Sequence, residues 1–233
     1  MVSLLGFPKR LRLVKILWLR RCLVPRMAAL LAATLLTFSV GAYASSANTL
    51  MILGDSLSSA YNVPVEDAWV SLLKQRLQRE NMDWNVANES ISGETTDGGL
   101  RRLPGLLRDI DPDVVVIELG GNDGLRGFPP RVIRENLVEM VERSRSSGAN
   151  VLLVGMQMPP NFGSGYTQAF SRVFKEISEQ YDVPLVPFFL EGVYNRPGAM
   201  QSDGIHPTAS AQSRLLENVW PELQVILRET AGG

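Results

Sequence analysis

Ser56, Asp203 and His206 are the residues of this chain whose types and spacing could do chemistry together. Ser56 stands in Gly54-Asp55-Ser56-Leu57, straight after the apolar run Leu50-Met51-Ile52-Leu53. His206, the only histidine, lies in Gln201-Ser202-Asp203-Gly204-Ile205-His206-Pro207. A serine hydroxyl becomes a nucleophile when a base takes its proton, and an imidazole base needs an acid to fix its tautomer. Asp203 and His206, three residues apart, can share one turn, with the carboxylate on Nδ1 and Nε2 aimed at Ser56. That chemistry is acyl transfer. Its tetrahedral oxyanion needs donors where negative charge develops. The candidates are the backbone N–H groups of Ser56 and Gly93 and the side-chain amide of Asn122. Each residue also has a plainer use: Asp55 or Ser56 as a helix cap, Asp203-x-x-His206-Pro207 as a cap on the last helix, and Gly93 and Asn122-Asp123-Gly124 as turns.

These residues need a frame that gathers them at one edge. Thr49 to Leu53 and Val114 to Leu119 are continuous apolar runs, the pattern of strands buried on both faces. Trp84 to Asn88, Val151 to Met156 and Pro184 to Pro187 read as three further strands. Helical periodicity marks Glu66 to Glu80, a stretch through Leu100, Leu103, Leu106 and Leu107 disturbed by Pro104, and another through Val132, Leu137 and Val141. It returns from Tyr166 to Ile177, and from Thr208 to Leu227 with an interruption at Pro221. Alternating strands and helices predict right-handed βαβ units and a parallel sheet covered on both faces. The fold class is α/β, and five strands fit a flavodoxin-like order 2-1-3-4-5. Asp55-Ser56 then falls where the first strand hands over to a helix. Gly93 and Asn122 fall on polar or glycine-rich loops at the same edge, where ligands bind in such sheets.

Composition narrows the class. The chain has 233 residues, 45% of them hydrophobic and 20% charged, as in ordinary globular proteins. Residues 1–26 carry seven basic residues and no acid. Met27 to Tyr43 is uncharged and rich in Ala and Leu, and Ala42-Tyr43-Ala44 is a small-x-small site. Basic region, apolar core and cleavage site in that order predict a secretory signal peptide. The alternative is retention as an inner-membrane anchor, for which the uncharged run is slightly short. Translation from Met27 would also suit the pattern. The expected organisation is therefore a basic extension and signal over residues 1–44 and one domain over 45–233.

Past residue 44, 16 basic and 24 acidic residues leave a net charge of −8. That disfavours nucleic acid as a partner. The single cysteine, Cys22, lies in the leader, so the mature chain has no thiolate nucleophile and no disulfide. One histidine and no cysteine supply too few ligands for a typical zinc site, and neither metal nor cofactor is expected.

Four blocks of the sequence resemble those of the GDSL, or SGNH, hydrolases, and they occur in that family's order. The blocks are Gly54-Asp55-Ser56-Leu57, Gly93 in Ser-Ile-Ser-Gly, Gly120-Gly121-Asn122-Asp123 and Asp203-Gly204-Ile205-His206. The stretches 118–128, 183–189 and 200–207 are similar to a periplasmic subgroup known as thioesterase I, protease I, lysophospholipase or arylesterase. The resemblance implies the three-layer SGNH fold. It implies Ser56 as nucleophile, His206 as base and Asp203 as its acid, with Ser56, Gly93 and Asn122 around the oxyanion. The α/β-hydrolase elbow is a poorer match, because Ser58 replaces its second glycine.

The expected activity is hydrolysis of acyl esters or thioesters (arylesters, lysophospholipids, acyl-CoA) through an acyl-enzyme, by a monomer that is periplasmic or secreted. Two alternatives stay open: a carbohydrate O-deacetylase of the same family, and a non-catalytic periplasmic binding protein. Apolar residues near the expected edge favour an acyl chain. Leu125, Phe128, Met156, Met158, Pro160 and Phe162 are the predicted substrate-binding set, with Pro159 beside them.

Overall fold

The computed structural model describes residues 47–232, and the predicted signal peptide lies outside them. Five parallel strands form one sheet in the order β2-β1-β3-β4-β5. The strands are β1 (Asn48–Gly54), β2 (Trp84–Asn88), β3 (Val114–Glu118), β4 (Asn150–Val154) and β5 (Leu185–Val186). The central strands β1 and β3 are apolar runs because both of their faces are covered. Leu50 to Leu53 and Val114 to Ile117 are all fully buried.

Five long helices cover the sheet. They are α1 (Trp69–Arg79), α2 (Thr96–Ile110), α4 (Pro130–Ser146), α5 (Ser164–Tyr181) and α6 (Gln212–Gly232). α1 packs on α6, while α2, α4 and α5 pack in series. Right-handed crossovers that run one way across the sheet from β1 to β2 and the other way from β2 to β3 put α1 and α2 on opposite faces. None of the helices among the described residues is long and apolar enough to cross a membrane.

Three local expectations are corrected. α2 and α6 run unbroken through Pro104 and Pro221. A proline inside a helix forfeits one i→i−4 bond. Here Leu103 and Leu107, and Val219, Trp220 and Leu223, are buried around that step, and tertiary packing outweighs the lost bond. The glycine-rich loop after β3 is instead one helical turn, α3 (Gly121–Leu125), entered through Gly120 at φ 111°. Finally, Asp55-Ser56 does not open a helix. The chain passes through successive turns, with Ala60 and Asn62 at φ 63° and 53°, before α1 begins. Left-handed residues cannot continue a right-handed helix, so Ser56 stays on a turn at the edge of the sheet.

Candidate active site

β1 ends at Gly54, and the next two side chains part company. Asp55 turns inward and is 2% exposed, whereas Ser56 faces a cavity of about 340 Å³. The turn after it is closed by the Asp55 carbonyl, which accepts from the Ser58 and Ser59 N–H groups. Ser58 is fully buried. Its hydroxyl accepts from Trp69 Nε1 at 3.2 Å and donates to Glu118 Oε2 at 2.8 Å. Gly54 makes room for this arrangement, since a Cβ there would stand 2.8 Å from Glu118 Oε2.

The second loop brings the base. Asp203 Oδ1 accepts the N–H groups of Ile205 (2.9 Å) and His206 (3.0 Å), closing a turn that sets the imidazole above Ser56. Asp203 Oδ2 lies 2.7 Å from His206 Nδ1, and His206 Nε2 lies 2.9 Å from Ser56 Oγ. Those backbone donors, more than the imidazole, hold the Asp203 carboxyl down at about 2. The loop is clipped at its root. The Gln201 N–H donates to the His206 carbonyl at 2.7 Å, and Gln201 Nε2 donates to the carbonyls of Pro207 and Tyr61. The Tyr61 ring lies on the imidazole with centroids 4.4 Å apart. Nothing in the sequence signals this contact, since Tyr61 and His206 stand 145 positions apart.

Asn122 sits in the first turn of α3 and lines the cavity beside Ser56. Its Nδ2 donates to Asp55 Oδ2 at 2.9 Å, which leaves a second N–H on the same nitrogen. The neighbouring Asp123 points inward, fully buried, and accepts from the Thr96 N–H at 2.9 Å. That bond ties α3 to the start of α2 and so to the loop carrying Gly93. Gly93 is exposed, with φ 80° and its carbonyl bonded by Arg126 Nη2 at 3.1 Å. It does not line the cavity. Among the described residues, neither the Gly93 N–H nor the Ser56 N–H has an acceptor.

Of the predicted substrate set, Leu125, Met156, Met158 and Pro160 line the cavity, together with Pro159. Phe128 and Phe162 do not line it. Both pack against the core, Phe162 with its ring 6.3 Å from that of Tyr166. Both stay half-buried there, with part of each ring held out of water by the core. The lining also takes in Phe188, Leu190, Tyr194, Met200 and Ile205, none of which the sequence reading assigned to the site. The motif 183–189 carried one signal, since Phe188 directly follows a strand that ends at the same edge.

Comparison with known proteins decides the family. The model of the GDSL-like lipase/acylhydrolase family matches residues 52–214. The chain belongs to this family. It is similar to Esterase TesA of Pseudomonas aeruginosa, at 51% identity over 86% of this chain and 100% of that protein. It is also similar to the thioesterase 1/protease 1/lysophospholipase L1 of Escherichia coli K12, at 42% identity over 83% of this chain and 89% of the relative. A crystal structure of the psychrotrophic esterase EstA from Pseudoalteromonas sp., inhibited by monoethylphosphonate, superposes with a TM-score of 0.74. Its identity is 40%, over 78% of this chain and 99% of that one. As a member of the family the chain is an ester hydrolase, with the fold of the SGNH structures.

Asp55 has a consequence for stability. Burial pushes its carboxyl from 3.8 up to about 6, against the lowering effects of the Leu57 N–H, Asn122 and His206. Glu118 and Asp123 are the acids beside it, and Glu118 is itself pushed well above the usual carboxylate range by burial and by Asp55. A raised folded-state value means the folded chain holds a proton that the unfolded chain has released. Asp55 therefore costs nothing below about pH 4, and its cost grows up to about pH 6. Removing the charge with Asp55→Asn should flatten the fall in Tm between those values, as thermal melts of both proteins across pH 4–7 would read. Parallel curves would exclude this role for Asp55.

Proposed function

We propose that the protein hydrolyses acyl esters or thioesters through an acyl-enzyme on Ser56. The observation that carries this reading is the 2.9 Å contact of Ser56 Oγ with His206 Nε2 beside an apolar cavity of about 340 Å³. In the first half-reaction Ser56 Oγ bonds to the acyl carbon while its proton passes to His206 Nε2. Asp203, ionised and bonded to Nδ1, stabilises the imidazolium. The Ser56 and Gly93 N–H groups and the free N–H of Asn122 are assigned to the oxyanion. Collapse of the tetrahedral intermediate breaks the bond to the leaving oxygen or sulfur, which takes the proton from His206. Water then repeats the sequence, and the acid leaves with Ser56 restored.

The walls support an acyl chain as the bound group. Leu125, Met156, Met158 and Leu190 offer aliphatic surface, which suits a lipid or aryl ester better than a sugar ring. The relatives' names point the same way, covering esterase, thioesterase and lysophospholipase activities. We read residues 1–44 as an export signal and 45–233 as one mature domain. The enzyme then acts as a periplasmic or secreted monomer on a small-molecule substrate, with no nucleic-acid partner and no membrane anchor after cleavage.

Turnover of p-nitrophenyl butyrate, with fluorophosphonate labelling confined to Ser56, tests the assignment. A folded protein that does neither refutes it. The residue inventory beyond the leader, with one histidine and no cysteine, argues for metal-free chemistry. Activity should accordingly survive exhaustive dialysis against EDTA. Loss that Zn²⁺ or Mn²⁺ restores would count against the serine mechanism.

A further inference from the structure

We propose that Asp55 is a positioning residue which, backed by Glu118, fixes the side-chain amide of Asn122 with one N–H free for the oxyanion. The inference rests on the Ser56 acyl-enzyme reading. His206 and Asn122 then each have an acid behind them, Asp203 for His206 and Asp55 for Asn122.

The hydrogen bonds define the assignment. Asp55 Oδ1 accepts the Leu57 N–H at 3.0 Å, and Oδ2 accepts Asn122 Nδ2 at 2.9 Å. An ionised carboxylate only accepts, so it forces Asn122 to turn its nitrogen, not its oxygen, toward it. The second hydrogen on that nitrogen, set about 120° from the first by the planar amide, is left for the cavity that Asn122 lines. Nothing else among the described residues bonds the Asn122 amide, so Asp55 alone selects its orientation.

Glu118 holds Asp55 from behind. Its Oε2 accepts both the Asp55 N–H at 3.2 Å and the Ser58 hydroxyl at 2.8 Å. The Ser58 hydroxyl donates there while its oxygen accepts from Trp69 Nε1. Burial pushes both acids up, and the Leu57 N–H and Asn122 Nδ2 both donate to Asp55, the pattern of an accepting carboxylate. Asp55 thus remains the accepting carboxylate. Burying that charge is unfavourable for folding, so its place beneath Asn122 is better explained by positioning than by stability.

Asp55→Asn tests this because it keeps size while reversing polarity. The new side chain must use its oxygen for the Leu57 N–H, so it turns an NH₂ group on Asn122. Asn122 then flips to present its oxygen to residue 55, and the free N–H leaves its position. With p-nitrophenyl butyrate, kcat should fall about 10- to 100-fold while KM stays within about twofold. Tm at pH 8 should hold or rise, whereas loss of a merely structural acid would lower it. The deciding measurement is the double-mutant cycle. In an Asn122→Ala background, Asp55→Asn should change kcat by less than about threefold, since the amide it orients is gone. Equal losses in both backgrounds would overturn the proposal, as would an unchanged kcat in folded Asp55→Asn. If Asp55→Asn does not fold, Asp55→Ser, which keeps a side-chain oxygen near Leu57, reads the same cycle. Failure of the Ser56 reading looks different, because the wild type would then show neither turnover nor labelling.

Discussion

His206→Ala should lower kcat by about four to six orders of magnitude and leave the fold intact. The size follows from position. His206 Nε2 is 2.9 Å from Ser56 Oγ, and no other imidazole exists in the chain to replace it. Without it the hydroxyl must lose its proton to water at neutral pH, and the leaving group must depart unprotonated. The fold should survive because the loop is built by its backbone. The Asp203 turn through the Ile205 N–H, the Gln201 N–H on the residue 206 carbonyl and the Met200–Pro207 bridge need no imidazole. His206 is partly exposed, and its loss removes its face against Tyr61 and its bonds to Asp203 and Ser56 but takes nothing from the buried core. The check pairs steady-state kinetics with circular dichroism on one preparation. A folded variant with near-normal turnover would remove the serine mechanism.

The sheet was legible because its central strands are buried on both faces and so are written as continuous apolar runs, Leu50 to Leu53 and Val114 to Ile117. A lone histidine made the pairing of Ser56 with Asp203-x-x-His206 legible, since nothing else competed for the role. The cavity wall was only half legible. Leu125, Met156, Met158 and Pro160 follow strands or turns whose ends could be placed. Tyr194 and Met200 instead follow β5, which has only two residues, and the irregular chain after it has no period to betray which side chains face inward. Phe128 and Phe162 stand outside the lining for another reason. Proximity in sequence to the edge says nothing about whether a large ring finds a better place against the core. The acid beneath Asn122 was invisible as well: Asp55 and Glu118 are 63 residues apart and read singly as a cap and a strand residue.

Asn122→Ala should lower kcat by roughly 3–4 kcal/mol, or 10²- to 10³-fold, with little change in KM. The asymmetry arises because the free N–H meets full negative charge only at the tetrahedral stage, whereas the ground-state carbonyl gains little from it. Some loss of Tm will accompany the substitution, since Asp55 Oδ2 loses the Asn122 donor and is left a buried acceptor without a partner. Tm therefore cannot separate an oxyanion role from a turn role, and kcat measured on folded protein can. Asn122→Asp should be worse than alanine. A carboxyl at that position faces Asp55 Oδ2 at about 2.9 Å, so the two acids share one proton. If the new carboxyl is ionised, it sets like charge beside the oxyanion. If it is protonated, its hydrogen goes to Asp55, and a bare oxygen with lone pairs faces the developing charge. Alanine leaves space in which a water can donate, and so retains part of the lost stabilisation. Equal specific activity in wild type, Asn122→Ala and Asn122→Asp would retire the oxyanion role and leave the Ser56 and Gly93 N–H groups as the donors.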